Sequence, residues 1–259
     1  AKPRNTMGEA SIAVLNLTGI IMPKPSLLLL FFGGTALTDF MADLEAAVND
    51  PKTAGIVINV DSPGGQIDLL PEAAAAIRAA REAKPVMAVA NTYAASAAYW
   101  LAAQADELVV TPSGMVGSIG IFTAHVDYSE ELAEMGRKVS LISAGKYKTE
   151  GNPYEPLTDE ARSAIQKVVD DAYNMFVSDV ATGRGEAEAK VTGGYGEGRM
   201  LPASDALEEG MVDHIESMPE ALARMAQRAG GGANAQSLPP PVIALRERAR
   251  FEYHRFKTG

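Results

Sequence analysis

An α/β fold, with a parallel sheet covered by helices on both faces, is what this sequence predicts. Three observations carry the expectation. Residues 55–60 (GIVINV) are a nearly unbroken run of β-branched and apolar side chains, as a strand buried on both faces requires. Apolar runs of strand length alternate along the chain with segments of helical periodicity. Such alternation implies parallel strands joined by helical crossovers.

Taken in order, residues 1–9 read as a polar leader and 11–17 as β-like. Residues 19–34 read as a turn followed by an apolar, flap-like segment. Within it, 25–32 (PSLLLLFF) would be an odd exposed feature on a lone monomer. It reads as the lining of a substrate groove or as a subunit contact, with a buried strand as the alternative. Helical periodicity covers 38–49 and stops at Asn49-Asp50-Pro51. After the strand at 55–60 and the turn DSPGG (61–65) come a helix over 69–83 and a strand at 85–90. A helix from about Ala95 and a strand at 107–111 follow, and 115–122 continues the pattern. A short helix around 129–135 and a strand at 138–142 precede a long helix from Thr158 to about Ala181, with acidic residues near its start as the macrodipole favours. The domain organisation is therefore a leader (1–9), one folded domain (10–228), a Gly/Pro-rich linker (229–241) and a basic tail (242–259) with the makings of a short helix.

Composition narrows the function. At 259 residues, with 47% apolar and 22% charged side chains, the chain has the profile of an ordinary soluble globular protein. No run approaches the roughly 18 apolar residues of a membrane span, and no Lys/Arg-led signal peptide is recognisable. The absence of cysteine excludes disulfides, thiolate metal sites and a cysteine nucleophile, and it suits a cytoplasmic setting. A net charge of −10 argues against a broad basic nucleic-acid surface. From Gly230 onward there are five basic and two acidic residues, a net of +3 that leaves −13 for the rest. There is no HExxH, no tight Asp/His cluster and no phosphate-binding glycine loop, so neither a metal nor a cofactor is expected. The histidines, His125, His214 and His254, have no partners nearby in sequence that mark a base, and each reads as structural or partly exposed.

What remains is a set of small-residue turns around serines. Ser96 follows a predicted strand and opens a helix among alanines, where free N–H groups and a partial positive charge favour a developing oxyanion. An N-cap is the alternative reading of a serine there. The glycines of 61–65 follow another strand, and α/β folds place their sites at the carboxyl ends of strands. The N–H groups of Gly65 and Ala97 could together form an oxyanion hole. Lys148 could serve as a base if a dry cleft lowered its pKa from about 10.4, the alternative being a solvated loop lysine.

Five stretches in one order then resemble the signal peptide peptidase A family of serine proteases: DSPGG (61–65), YAASAAYW (93–100), GMVGSIGIF (114–122), SAGKYKTEGNPYEPLT (143–158) and GRMLPASDALEEGMVDHI (198–215). The similarity runs from about Ser11 to Ile215, and the length and the GNPY loop resemble the capsid-assembly, or prohead, proteases of its phage branch. The resemblance implies the Clp protease/crotonase superfold of stacked ββα units. It implies Ser96 as nucleophile, Lys148 as general base, Ser118 as the hydroxyl orienting the lysine amine, and Gly65 and Ala97 as oxyanion donors. Lys146 is the rival of Lys148 by type but not by position. Ala97 and Ala98 stand where glycines are common in the family. The resemblance further implies polypeptide substrates, with scaffold or capsid proteins and the chain itself as targets during phage head assembly, or released peptides in a bacterial role. It also implies a homo-oligomeric ring and no cofactor; the absence of an integral membrane segment is expected from composition and departs from the membrane-bound relatives of the family. An acyl-CoA enzyme of the crotonase type and a non-catalytic assembly protein are the readings from other classes.

Overall fold

The computed structural model describes residues 11–230. The expected leader and tail, and the linker beyond Gly230, lie outside the described residues. In chain order the elements are β1 (Ser11–Met22), α1 (Leu27–Phe32), β2 (Thr35–Ala36), α2 (Leu37–Asn49), β3 (Thr53–Gly65), α3 (Leu70–Ala83), β4 (Val86–Ala95) and α4 (Ala97–Ala102). They continue with β5 (Glu107–Val110), β6 (Met115–Gly117), α5 (Ser129–Glu134), α6 (Asp159–Arg184), α7 (Glu188–Gly194), β7 (Met200–Pro202), α8 (Ala203–Glu208), β8 (His214–Ile215) and α9 (Met218–Gly230).

The strands form one sheet in the order β2-β1-β3-β4-β5-β8, with every neighbouring pair parallel. Near its carboxyl end β4 exchanges β5 for β6, which is paired on its other side with antiparallel β7. Alternation explains the β-branched run in β3. Ile56, Ile58 and Val60 face a core shared with α2, α3, α4 and the C-terminal half of α6, whereas Val57 faces Ala221 and Met225 of α9. Burying the Met225 side chain alone contributes about 2 kcal/mol. Above α9 the same face turns polar: Asn91 donates to Asn59, and Asn59 donates to Asn16.

Local chemistry sets the helix ends. Thr158 accepts the Ala161 N–H as the N-cap of α6, and Gly185 in the left-handed region closes it. Lys84 Nζ donates to the Ala47 carbonyl, in the last turn of α2, and to the Asp50 carbonyl just beyond it.

Two expectations are corrected. Residues 25–32 are not a buried strand: Leu27–Phe32 form a helix with no buried residue, and Leu30, Phe31 and Phe32 are at least 75% exposed. No strand forms at 138–142 either. Lys138-Val139-Ser140-Leu141-Ile142 alternates as a strand would, but no neighbouring strand offers it a hydrogen-bonding edge, and Ile142 is 99% exposed. This stretch belongs to an arm, residues 122–157, that contains only α5 and closes on itself through Tyr128 N–H to the Pro153 carbonyl and His125 Nε2 to the Asn152 carbonyl.

Candidate active site

Three parallel strands end at one place. β3 runs out through Asp61–Gly65, β4 through Tyr93–Ala95 into Ser96, and β6 beside β4 with Ala95 opposite Gly117. Ser96 sits between β4 and α4 with φ 53° and ψ −122°, a conformation that costs a non-glycine residue roughly 1–3 kcal/mol. A capping serine would be extended, with its hydroxyl accepting an N–H from the first turn; the Ser96 hydroxyl makes no such bond. The N-cap alternative therefore fails. The backbone holds the strain: Ser96 N–H donates to the Gly117 carbonyl at 2.8 Å, and its carbonyl accepts from Trp100 N–H at 3.0 Å.

The glycines of the β3 turn press against this elbow. A methyl on Gly64 would lie 2.8 Å from Ser96 Cβ and 3.0 Å from Ala97 N, and one on Gly65 would lie 1.9 Å from the Ile21 carbonyl oxygen. Gln66 N–H donates to that same Ile21 carbonyl at 3.0 Å. Ala97 contributes the first N–H of α4, which no intrahelical carbonyl can take.

A cavity of about 80 Å³ opens beside Ser96, lined by Gly65, Ile67, Leu70, Ala97, Trp100, Gly120, Ile121, Phe122 and Phe176. Apart from the backbone and Ser96 its wall is apolar. Trp100 stacks on Phe176 at 4.5 Å between ring centroids, and its Nε1–H donates to Asp179 at 2.8 Å. Asp179 in turn pairs with Arg78 at 3.0 Å. These contacts fix the C-terminal half of α6 against the helix that Ser96 opens. A wider depression of about 370 Å³, lined by Glu197, Arg199, Asp205, Glu208, Glu209 and neighbours, contains no nucleophilic side chain.

Ser118 is the residue after Gly117. It is half-buried at φ 56°, and its N–H donates to the Arg199 carbonyl at 2.8 Å. The fold thus gathers Ser96, Ser118, Gly65 and Ala97. Lys148 is not gathered with them: it lies exposed on the arm and does not line the cavity beside Ser96, and among the described residues no hydrogen bond joins its amine to the Ser96 hydroxyl. Lys146, the rival, is engaged with Tyr147 Oη at 2.6 Å and with Glu160 at 3.5 Å. His125 is tied to the arm, and His214 stands half exposed in the edge strand β8, as the sequence suggested for both. No group of three or more His, Asp or Glu residues suited to a metal occurs among the described residues.

Sequence reasoning passed over Gly64, which packs directly against Ser96, and the Trp100–Phe176 floor of the cavity. The doubled glycine of DSPGG marked the first. Nothing in the sequence pairs residues 76 positions apart.

The model of Peptidase family S49 matches residues 78–231, well over half of the chain. The chain belongs to that family. The head-tail preconnector protein GP5 of Enterobacteria phage P21 is 33% identical over 228 residues, covering 88% of this chain and 45% of that protein. The capsid assembly protease C of Escherichia phage lambda is 30% identical over 246 residues, 92% of this chain and 56% of that protein. Protease 4 of Salmonella typhi is 30% identical over 181 residues, 70% of this chain and 29% of that protein. The chain spans about half the length of the two phage relatives. Among solved structures, a mutant of the membrane-bound stomatin-specific protease 1510-N superposes with a TM-score of 0.51 at 15% identity, covering 85% of this chain and 86% of that one, which is a likeness of fold alone. Among the described residues no helix is long and apolar enough to cross a membrane.

Proposed function

We propose that the chain is a Ser–Lys endopeptidase of the Clp/crotonase architecture that processes scaffold and capsid proteins, and itself, during phage head assembly. The observation that carries the reading is the Ser96 elbow: a strained serine without a capping bond, pressed against the Gly64–Gly65 turn and beside an apolar cavity. Ser96 Oγ attacks the peptide carbonyl, and a bond forms from Oγ to carbon. The N–H groups of Gly65 and Ala97 receive the charge that develops on the carbonyl oxygen. Lys148 takes the Ser96 proton and returns it to the leaving amine, with Ser118 orienting the lysine. Water, activated by the same amine, releases the acyl group.

This chemistry requires an amine that can be neutral near pH 7, and desolvation is what lowers a lysine pKa. On the isolated chain Lys148 is exposed, and so are Phe122, Val126, Met135, Val139, Leu141 and Ile142 of the arm that bears it. Apolar side chains in that number call for a cover. A homo-oligomer that buries the arm and brings a lysine to each Ser96 meets both needs at once. The similarity to two phage proteins over about nine-tenths of the chain supports the head-assembly role. The similarity to Protease 4 supports a second reading, degradation of released peptides.

Three preparations test the mechanism: wild type, Ser96→Ala and Lys148→Ala, each incubated with a candidate scaffold protein and followed by mass spectrometry. Cleavage by wild type alone is expected. Mixing the two inactive variants, with subunit exchange, is expected to restore part of the activity, because some sites then hold an intact serine and an intact lysine. Cleavage by Lys148→Ala at the wild-type rate would remove Lys148 from the mechanism.

A further inference from the structure

Ser62 is fully buried in the Asp61–Gly65 turn, and no step of the acyl transfer above employs it. Its hydroxyl donates to the Gly19 carbonyl at 2.6 Å and accepts the Gly64 N–H at 3.1 Å. Both partners are special points of the backbone. Gly19, at φ +63°, lies where β1 shifts register against β3, between Thr18 and Ile20. Gly64, at φ +100°, immediately precedes the peptide that bears the Gly65 N–H. Ser62 also pairs in register with Ala94 of β4, two residues before Ser96. The hydroxyl therefore ties β1 to the end of β3, and the Ser62 backbone lies beside β4.

Two consecutive glycines have wide backbone freedom, so nothing intrinsic to Gly64-Gly65 keeps an N–H aimed in one direction. The bond from Gly64 N–H to Ser62 Oγ fixes the Pro63–Gly64 peptide, and the bond from Ser62 to Gly19 fixes the hydroxyl. We propose that Ser62 is a positioning residue that holds the Gly64–Gly65 turn so that the Gly65 N–H meets the oxyanion. The proposal rests on the reading of Ser96 as nucleophile and Gly65 as oxyanion donor. An oxyanion exists only in the transition state and the tetrahedral intermediate, so a loosened turn lowers kcat and leaves substrate binding nearly unchanged.

The test compares wild type, Ser62→Ala, Ser62→Cys and Ser96→Ala on a fluorogenic peptide, with rates normalised to sites titrated by a fluorophosphonate. Ser62→Ala is expected to lose about 10- to 100-fold in kcat with KM within about threefold. Its affinity for a peptide aldehyde, whose adduct oxygen occupies the oxyanion position, is expected to fall in parallel. Ser62→Cys keeps the bulk but hydrogen-bonds weakly, and it is expected to lose at least about tenfold. If Ser62→Ala does not fold, the cysteine variant decides alone. Wild-type kcat per titrated site in either variant, whatever happens to Tm, makes Ser62 a packing residue and overturns the proposal while leaving the Ser96 reading intact. Undiminished hydrolysis by Ser96→Ala overturns both.

Discussion

Gly64→Ala is the most informative single substitution in this structure, because its effect on the fold and its effect on the chemistry have separable sizes. At φ +100° an alanine carries backbone strain of roughly 1–3 kcal/mol. Its methyl would lie 2.8 Å from Ser96 Cβ, 2.9 Å from the Ala95 carbonyl oxygen and 3.0 Å from Ala97 N. A carbon–carbon contact needs roughly 3.5 Å, so the overlap with Ser96 is roughly 0.7 Å. None of these atoms is the far end of a flexible side chain, so the overlap is relieved only by moving backbone, at about 1–3 kcal/mol. The stiffer unfolded chain returns about 0.5 kcal/mol. The net cost is about 2–5 kcal/mol, which at about 2–4 °C per kcal/mol lowers Tm by roughly 4–20 °C. The same movement displaces Ser96 or Ala97 by several tenths of an ångström, and a 1 Å misplacement costs about 100-fold, so kcat per folded molecule is expected to fall at least about 10-fold. Gly33→Ala is the control. It shares a positive φ, +77°, but has nothing within 4 Å of the added methyl. It is expected to lower Tm slightly and to leave kcat unchanged. Differential scanning calorimetry gives Tm, and peptide hydrolysis normalised to the folded fraction gives kcat. A Gly64→Ala enzyme with kcat within threefold of wild type would refute the reasoning, and so would equal damage from Gly33→Ala.

Two further expectations concern the framework. Arg184, with a side chain only 7% exposed, donates to both oxygens of Asp213 at 2.7 and 2.8 Å, and Leu108 N–H donates to the same carboxylate at 2.7 Å. Burial alone would push the Asp213 carboxyl upward, but the Arg184 bonds and charge and the Leu108 N–H hold it below its ordinary value. Its stabilisation is thus present above about pH 4 and is lost as pH falls through the lower, folded-state value. Asp213→Asn is expected to lose about 2–3 kcal/mol at pH 7, read as ΔG from urea unfolding, and to show a shallower decline below pH 4 than wild type; parallel declines would rule out this linkage. Phe176→Leu, at the floor of the cavity beside Ser96, is expected to cost about 1–2 kcal/mol and to raise kcat/KM for peptides with bulky apolar residues relative to alanine. An unchanged preference across a peptide library would detach this cavity from substrate selection.

The parts of the fold that were legible in the sequence are those whose neighbours are fixed by local pattern. The β3 strand and the helices α2, α3 and α6 follow from periodicity and β-branching, whereas the turn expected at 61–65 is the bulged end of β3, which stays paired with β1 as far as Gly65. Residues 138–142 did not follow, because alternation describes a side-chain pattern and says nothing of whether a hydrogen-bonding edge is at hand. Residues 25–32 defeat the pattern in the opposite way: six consecutive apolar side chains fit a buried strand, but the N-cap at Ser26, which accepts the Leu29 N–H, turns them into a helix. The elbow at Ser96 was readable as a serine between strand and helix. Its positive φ was not, since that comes from Gly64 and Gly117, which pack on it from other strands. Lys148 was legible only as a member of a motif.

The exposure of Lys148 has a kinetic consequence if Ser96 and Lys148 do work together. On the proposed mechanism the arm leaves water only against neighbours, which ties catalysis to crowding: a dilute pool of newly made chains would be idle, and the same chains gathered into a confined volume would switch on together. Latency of this kind needs no inhibitor and no masking segment, and the rate in dilute solution would rise more steeply than the protein concentration.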